Sequence, residues 1–168
     1  WAQGMTGADD TNGDANVWTY STAGQSWSAL TNISTASQTA GAGFLVYVYQ
    51  DANNDGDTSD DADLPVTLSV SGTENSSSAT VGSIASGNWA LAGNPYASTI
   101  DWDNVTKTYL ATSAYVWDSQ AGTPAYVSWN GSAGSLSNGL IAAYQGFWVQ
   151  ASDGTGSITI EVGDKSST

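Results

Sequence analysis

The residues best suited to do chemistry lie between positions 51 and 63, where the chain reads Asp51-Ala52-Asn53-Asn54-Asp55-Gly56-Asp57-Thr58-Ser59-Asp60-Asp61-Ala62-Asp63. Side-chain oxygens at the first, third and fifth positions, Gly at the sixth and another oxygen donor at the seventh reproduce the opening of a calcium loop, in which Gly permits the turn that wraps ligands around the ion. Asp51, Asn53, Asp55 and Asp57 are the expected first ligands. Ala62 stands where an EF-hand carries its bidentate Glu, so Asp60, Asp61 or Asp63 has to close the shell. Strand-like segments flank the loop, which argues against a true EF-hand. Six Asp within thirteen residues repel one another unless a cation compensates. Bound Ca2+ is therefore expected, with magnesium or sodium as substitutes and a solvated acidic hairpin as the bland alternative.

Little other chemistry is on offer. The chain has no Cys and no His, which removes thiol nucleophiles, disulfides, imidazole bases and ordinary zinc or copper sites. A small secreted domain without disulfides usually needs another staple, such as bound metal. Asp101 and Asp103 flank Trp102 and would share one face of a strand, the minimum for a glycosidase pair, yet capping of a turn explains them without a second carboxylate motif. Lys107 and Lys165 lack a Ser-x-x-Lys context. No catalytic residue is assigned and no enzyme is expected. Asn32, Asn75, Asn104 and Asn130 each open a glycosylation acceptor triplet, a pattern that chance supplies often in so Asn- and Ser-rich a chain.

Charge and composition narrow the partners. With 16 Asp and Glu against 2 Lys, the formal net charge of the 168 residues is −14. That balance offers no cations to displace phosphate counterions, so nucleic acid is not an expected partner. No run of about 18 apolar residues and no basic amphipathic segment point to membrane insertion. The 8 Trp and 8 Tyr are far more apolar material than an acidic disordered tail carries. Trp18, Trp27, Trp117 and Trp129 are expected to pack in a core, whereas Trp1, Trp89, Trp102 and Trp148 are the freer candidates for stacking on sugar rings.

The elements that must position these residues are strands. Gly, Ser, Thr, Asn and Asp punctuate the chain every eight to twelve residues, between short runs rich in Val, Tyr, Trp, Thr and Ile, which is an all-β rhythm. Strands are expected near 17–20, 43–50, 64–70, 79–84, 88–92, 114–117, 126–129, 146–150 and 158–162, with one short helical turn over 99–110. Asn16-Val17-Trp18 followed by Trp27 echoes Tyr115-Val116-Trp117 followed by Trp129, and Gly43-Phe44-Leu45-Val46 echoes Gly146-Phe147-Trp148-Val149. These echoes predict a β-sandwich-like domain of two related halves: 1–87, carrying the acidic loop, and 88–168. The two halves together are expected to form one compact domain. The second half opens with Asn88–Pro95, for which the first half shows no counterpart, so an opening strand is expected from upstream or from a partner that adds to an exposed edge. The alternating run Ser157–Val162 is a candidate donor, in its own subunit or in the next.

Gly43–Tyr49, Leu64–Thr73, Trp89–Tyr96 with Ile100-Asp101-Trp102, Tyr115–Asp118 and Gln145–Val149 together resemble a β-rich module of large secreted surface proteins of the Bacteroidetes and their relatives. The likeness runs from about Trp18 to Val162. It implies cargo of the type IX secretion system, an extracellular or cell-surface location and a strand ahead of Trp1. The expectation is thus a non-enzymatic, calcium-stabilised structural module of a surface or fibre-forming protein, partnered by copies of itself or by neighbouring domains and polymerising by strand addition. The alternative is a carbohydrate-binding or adhesion module whose partner is a glycan.

Overall fold

The computed structural model describes residues 15–30, 38–47, 72–119 and 122–166. The acidic loop 51–63 and the strand expected at 64–70 lie outside the described residues. Two compact units divide the chain: Trp1–Thr19, Trp27–Gln38 and Phe44–Thr73 form one, and Tyr20–Ser26, Thr39–Gly43 and Glu74–Thr168 form the other. Val17–Ser21 (β1) and Ser26–Ala29 (β2) are joined by a four-residue turn, and Phe44–Val46 (β3) runs antiparallel along the other side of β1; the first unit holds β1 up to Thr19, β2 from Trp27 and all of β3, while Tyr20–Ser26 falls in the second. Val17 pairs with Val46, Trp18 with Leu45 and Thr19 with Phe44. These β-branched and aromatic residues favour a pleated, half-buried surface.

The second unit is built from Ala79–Ile84 (β4), Trp89–Gly93 (β5), Ile100–Asp101 (β6), Thr106–Thr108 (β7), Ala114–Asp118 (β8), Ala125–Trp129 (β9), Leu140–Ile141 (β10), Gly146–Gln150 (β11) and Gly156–Ile160 (β12). One antiparallel sheet has the order β5-β11-β8-β9, a second β4-β12-β7, and β10 pairs with β6. Alternation decides which way each side chain points. In β11, Phe147 and Val149 are buried while Trp148 and Gln150 are not; in β12, Ile158 and Ile160 are buried between Ser157 and Thr159. Ala90, Ala92, Val116, Phe147 and Val149 from the first sheet meet Ile84, Ile158 and Ile160 from the second in one core, a sandwich-like arrangement that Tyr96, Ile100 and Trp102 complete. Burying a side chain such as Phe147 is worth about 1.5–3 kcal/mol. The chain is thus all-β.

One expectation changes. No helix forms over 99–110: β6 leads into a tight turn in which Asn104 and Val105 donate to Asp101 and Trp102, and β7 follows, paired with β12 through Lys107 and Ile158. Thr106 and Thr108 favour the strand, and that pairing outweighs the helical start signals of Thr99 and Asp101. The only helical pieces among the described residues are 3-10 turns at Ser137–Gly139 and Val162–Asp164. Of the two places expected for the run Ser157–Val162, its own subunit or the next, β12 takes the first, as the central strand between β4 and β7. β4 pairs with β12 and belongs to the second unit.

Candidate functional site

The outward face of the β5-β11-β8-β9 sheet gathers five aromatic residues that the core does not absorb, Trp89, Tyr115, Trp117, Tyr126 and Trp148. Trp148 sits opposite Leu91 and Tyr115, Gln150 opposite Trp89, and Trp117 opposite Tyr126, so these residues share one face. Trp89 meets Tyr115 edge to face at 5.4 Å between ring centroids, and Tyr20 covers Trp148 at 4.6 Å. Across the sheet, Trp117 and Tyr126 meet at 5.0 Å and stay open, 50% and 54% exposed. Their ring contact adds about 0.5–1.5 kcal/mol beyond burial.

The outer edge of β5 is closed by residues far away in sequence. Gln25 has a positive φ of 48°, a conformation that disfavours a side chain, and its amide is fully engaged. Nε2 donates to the carbonyls of Thr22 (2.6 Å) and Trp89 (2.8 Å), while Oε1 accepts from the Trp89 N–H (2.9 Å) and the Tyr20 hydroxyl (3.2 Å). That uses every donor and acceptor site a Gln amide has. The amide thereby replaces a neighbouring strand's peptide group at Trp89. Asn88 Nδ2 adds a bond to the Thr22 carbonyl at 3.1 Å. Two residues further along β5, the segment Gly41-Ala42-Gly43 takes over. Gly43 N–H donates to Leu91 O, Gly93 N–H donates to Gly41 O, and Ala42 bridges Ala92. A Cβ on Gly43 would lie 2.5 Å from the Ala92 carbonyl oxygen, so this close approach requires glycine.

Both lysines are committed to the fold. Lys107 Nζ donates to the carbonyls of Trp102 and Val105 and sits 4.3 Å above the Trp102 ring. Burial holds this ammonium below the ordinary lysine range, against the upward pull of Asp103, Asp164 and Asp101. Lys165 Nζ bonds Glu74 at 2.8 Å and lies 4.8 Å from the Tyr96 ring centroid. The hydrogen bond from Lys165, helped by the Ala97 N–H, draws the exposed Glu74 carboxyl below its usual range. Buried Tyr96 donates its hydroxyl toward the Ser77 and Ile160 carbonyls, and burial, together with the charges of Asp164, Glu161 and Glu74, pushes its phenol upward.

The structure sorts the candidates named from the sequence. Asp101 Oδ1 accepts the Asp103 N–H within the tight turn after β6, in place of the helix capping expected of it, and Asp103 Oδ1 accepts the Trp129 indole N–H at 2.9 Å. Trp102, expected to be free, is 1% exposed, donates to the Thr112 carbonyl and packs edge to face on Phe147. Trp117, expected in the core, is exposed, as is Trp27, while Trp129 packs against the core. Trp89 and Trp148 lie on the outward face, and Trp1 is outside the described residues. Asn130 Oδ1 accepts from the Ser132 N–H, the Ser132 hydroxyl and the Ala133 N–H in a tight turn, Asn75 bonds Ser77, and Asn32 lies outside the described residues. Asp51, Asn53, Asp55, Asp57, Asp60, Asp61 and Asp63 also lie outside them; among the described residues no group of three or more His, Cys, Asp or Glu could hold a metal ion. Sequence reasoning missed Gln25, whose partner is 64 residues away. Gly41-Ala42-Gly43 was the one local signal, since paired glycines around a small residue permit close backbone approach.

The class defined by fold and site is an all-β protein with a sandwich-like unit, an aromatic outward face and a clasped sheet edge. No family model, curated protein or solved structure matches the chain.

Proposed function

We propose that the chain is a non-enzymatic structural module of an extracellular surface or fibre-forming protein, made of two related halves, stabilised by Ca2+ at 51–63 and polymerising by strand addition. One observation carries most of this. In the N-terminal part a hairpin, β1-β2, is followed by a Gly-Phe-x-Val strand beside its first member, and β8-β9 followed by β11 repeats that order. Leu45 faces Trp18 as Trp148 faces Tyr115, so Trp18 corresponds to Tyr115, two residues from the alignment the sequence suggested. In this reading β5 is the opening strand of the second half. The resemblance to Bacteroidetes surface modules supports a secreted location, and the Asp loop supports the ion. Melting with calcium and with a chelator tests the ion: calcium raises the transition temperature, chelator lowers it, and Asp55→Ala abolishes the difference. Identical curves would remove Ca2+ from the proposal.

The open Trp117–Tyr126 pair favours a second role, adhesion to neutral glycans, because exposed aromatic faces stack on sugar rings and a chain of net charge −14 repels anionic ones. Polysaccharide pull-down by the intact chain, lost in Trp117→Ala, is the supporting result; equal retention of both proteins removes this role.

A further inference from the structure

We propose that the outer edge of β5 is a strand-acceptor site and that its occupant, in assemblies, is the clasp of a second copy of this chain: the turn bearing Gln25 together with Gly41-Ala42-Gly43. This deepens the polymerising reading above and rests on it, naming the acceptor and the donor.

The clasp is built for this edge. Gln25 matches the Trp89 N–H and C=O with an acceptor and a donor at 2.9 and 2.8 Å, at the cost of a left-handed backbone. Gly41-Ala42-Gly43 matches the next stretch in antiparallel register, and Gly43 admits no side chain. Neither part belongs to β5's own stretch of chain. Tyr20–Ser26 and Thr39–Gly43 are excursions from the N-terminal part, and the residues on both sides of Tyr20–Ser26, as well as Phe44 onward, group with the other unit. Beyond one isolated bridge the contact is held by side chains, Gln25 on Trp89, Asn88 on the Thr22 carbonyl and the Tyr20 ring against Trp148, with no paired strand. An edge closed in this way can be reopened without breaking a continuous ladder, and every copy carries both the acceptor and an identical, complementary clasp. Reciprocal exchange between two copies closes a dimer, whereas a clasp passed on from copy to copy is a heterologous contact that extends head to tail where its rotation does not close. Within one copy the clasp enjoys an effective concentration on the order of mM, so exchange is favoured in crowded arrays and suppressed in dilute solution.

Gly43 N–H to Leu91 O and Gly93 N–H to Gly41 O flank Ala42 and Ala92, which makes them a non-hydrogen-bonded pair. Such pairs have Cα atoms about 4.5 Å apart, within disulfide reach. The chain has no cysteine, so introduced thiols report alone. Ala42→Cys and Ala92→Cys chains, co-refolded at high concentration and oxidised, are expected to yield a mixed disulfide dimer that neither variant gives by itself. The Ala42→Cys/Ala92→Cys double variant, refolded dilute and oxidised, is expected to close internally and to stop forming assemblies. Thr22→Cys with Asn88→Cys, joined by a short bismaleimide, repeats the test at partly exposed positions in case Cys at the buried Ala92 prevents folding. Absence of mixed cross-links in whichever pair folds overturns the exchange. If filaments still form in that event, polymerisation stands and proceeds through another edge; if none form, both fail.

Discussion

Gln25 is the residue whose removal should reveal most. Truncation to Ala leaves the Trp89 N–H and C=O without their partner on this edge, while the Thr22 carbonyl keeps Asn88 Nδ2, and each half-buried group so stranded costs about 1–3 kcal/mol unless water reaches it. Gln25→Ala should therefore lower the urea midpoint with an unchanged slope. Gly43→Ala should destabilise by a comparable amount, about 1–3 kcal/mol, because the new methyl meets the Ala92 carbonyl. A chemical-denaturation series on both variants checks this; wild-type midpoints would mean that the clasp carries no stability. Tyr96 gives a pH signature. Its phenol titrates above the ordinary tyrosine value in the folded state, so its contribution is intact below about pH 10 and is lost as pH rises through the folded pKa. Lys107 has the opposite sign, since its folded pKa is depressed and the folded state sheds that proton first, which raises stability as pH climbs toward the unfolded lysine value. Tyr96→Phe should be less stable than wild type at pH 7, with its hydroxyl's two carbonyl contacts gone, and the gap should narrow in alkali. A constant gap across pH would contradict the assignment.

At the scale of elements, the two faces of each strand were legible wherever period-two alternation was strong. β11 and β12 bury the residues that alternation assigns to the core, and β4 spans the residues expected of it. Aromatic residues were harder to place, because their side depends on strand parity and turn position and not on residue type. Trp102 sits in a turn and plugs the core, while Trp117, on β8 beside buried Val116, faces outward. Helical start signals misled over 99–110 because the pairing of β7 with β12 is a long-range contact that a local window does not contain. The clasp was illegible for the same reason. The contrast between tryptophans is testable: Trp102→Ala should cost about 3–5 kcal/mol and Trp117→Ala within about 0.5 kcal/mol, read from thermal or urea unfolding. Equal losses would contradict the two placements.

At the scale of the whole molecule, the design problem is the sheet edge. An unpaired edge presents donors and acceptors to any passing strand. The second unit closes one edge of its larger sheet with the clasp, and the other in part with residues 134–136, where Ser135 and Leu136 both donate to the Ser128 carbonyl of β9. Under the proposed polymerising role, half-closed edges would let a copy be stable alone and pair when crowded. The strong negative charge opposes contact between copies at low ionic strength and is screened within about 8 Å at physiological salt. Assembly should accordingly be favoured by calcium and by salt. The most direct measurement is electron microscopy of the 168-residue chain at increasing concentration in calcium and physiological salt. Unbranched filaments of repeating globular units, lost in chelator, are the predicted result; isolated particles at every concentration, with sedimentation giving a stable folded monomer, would contradict it.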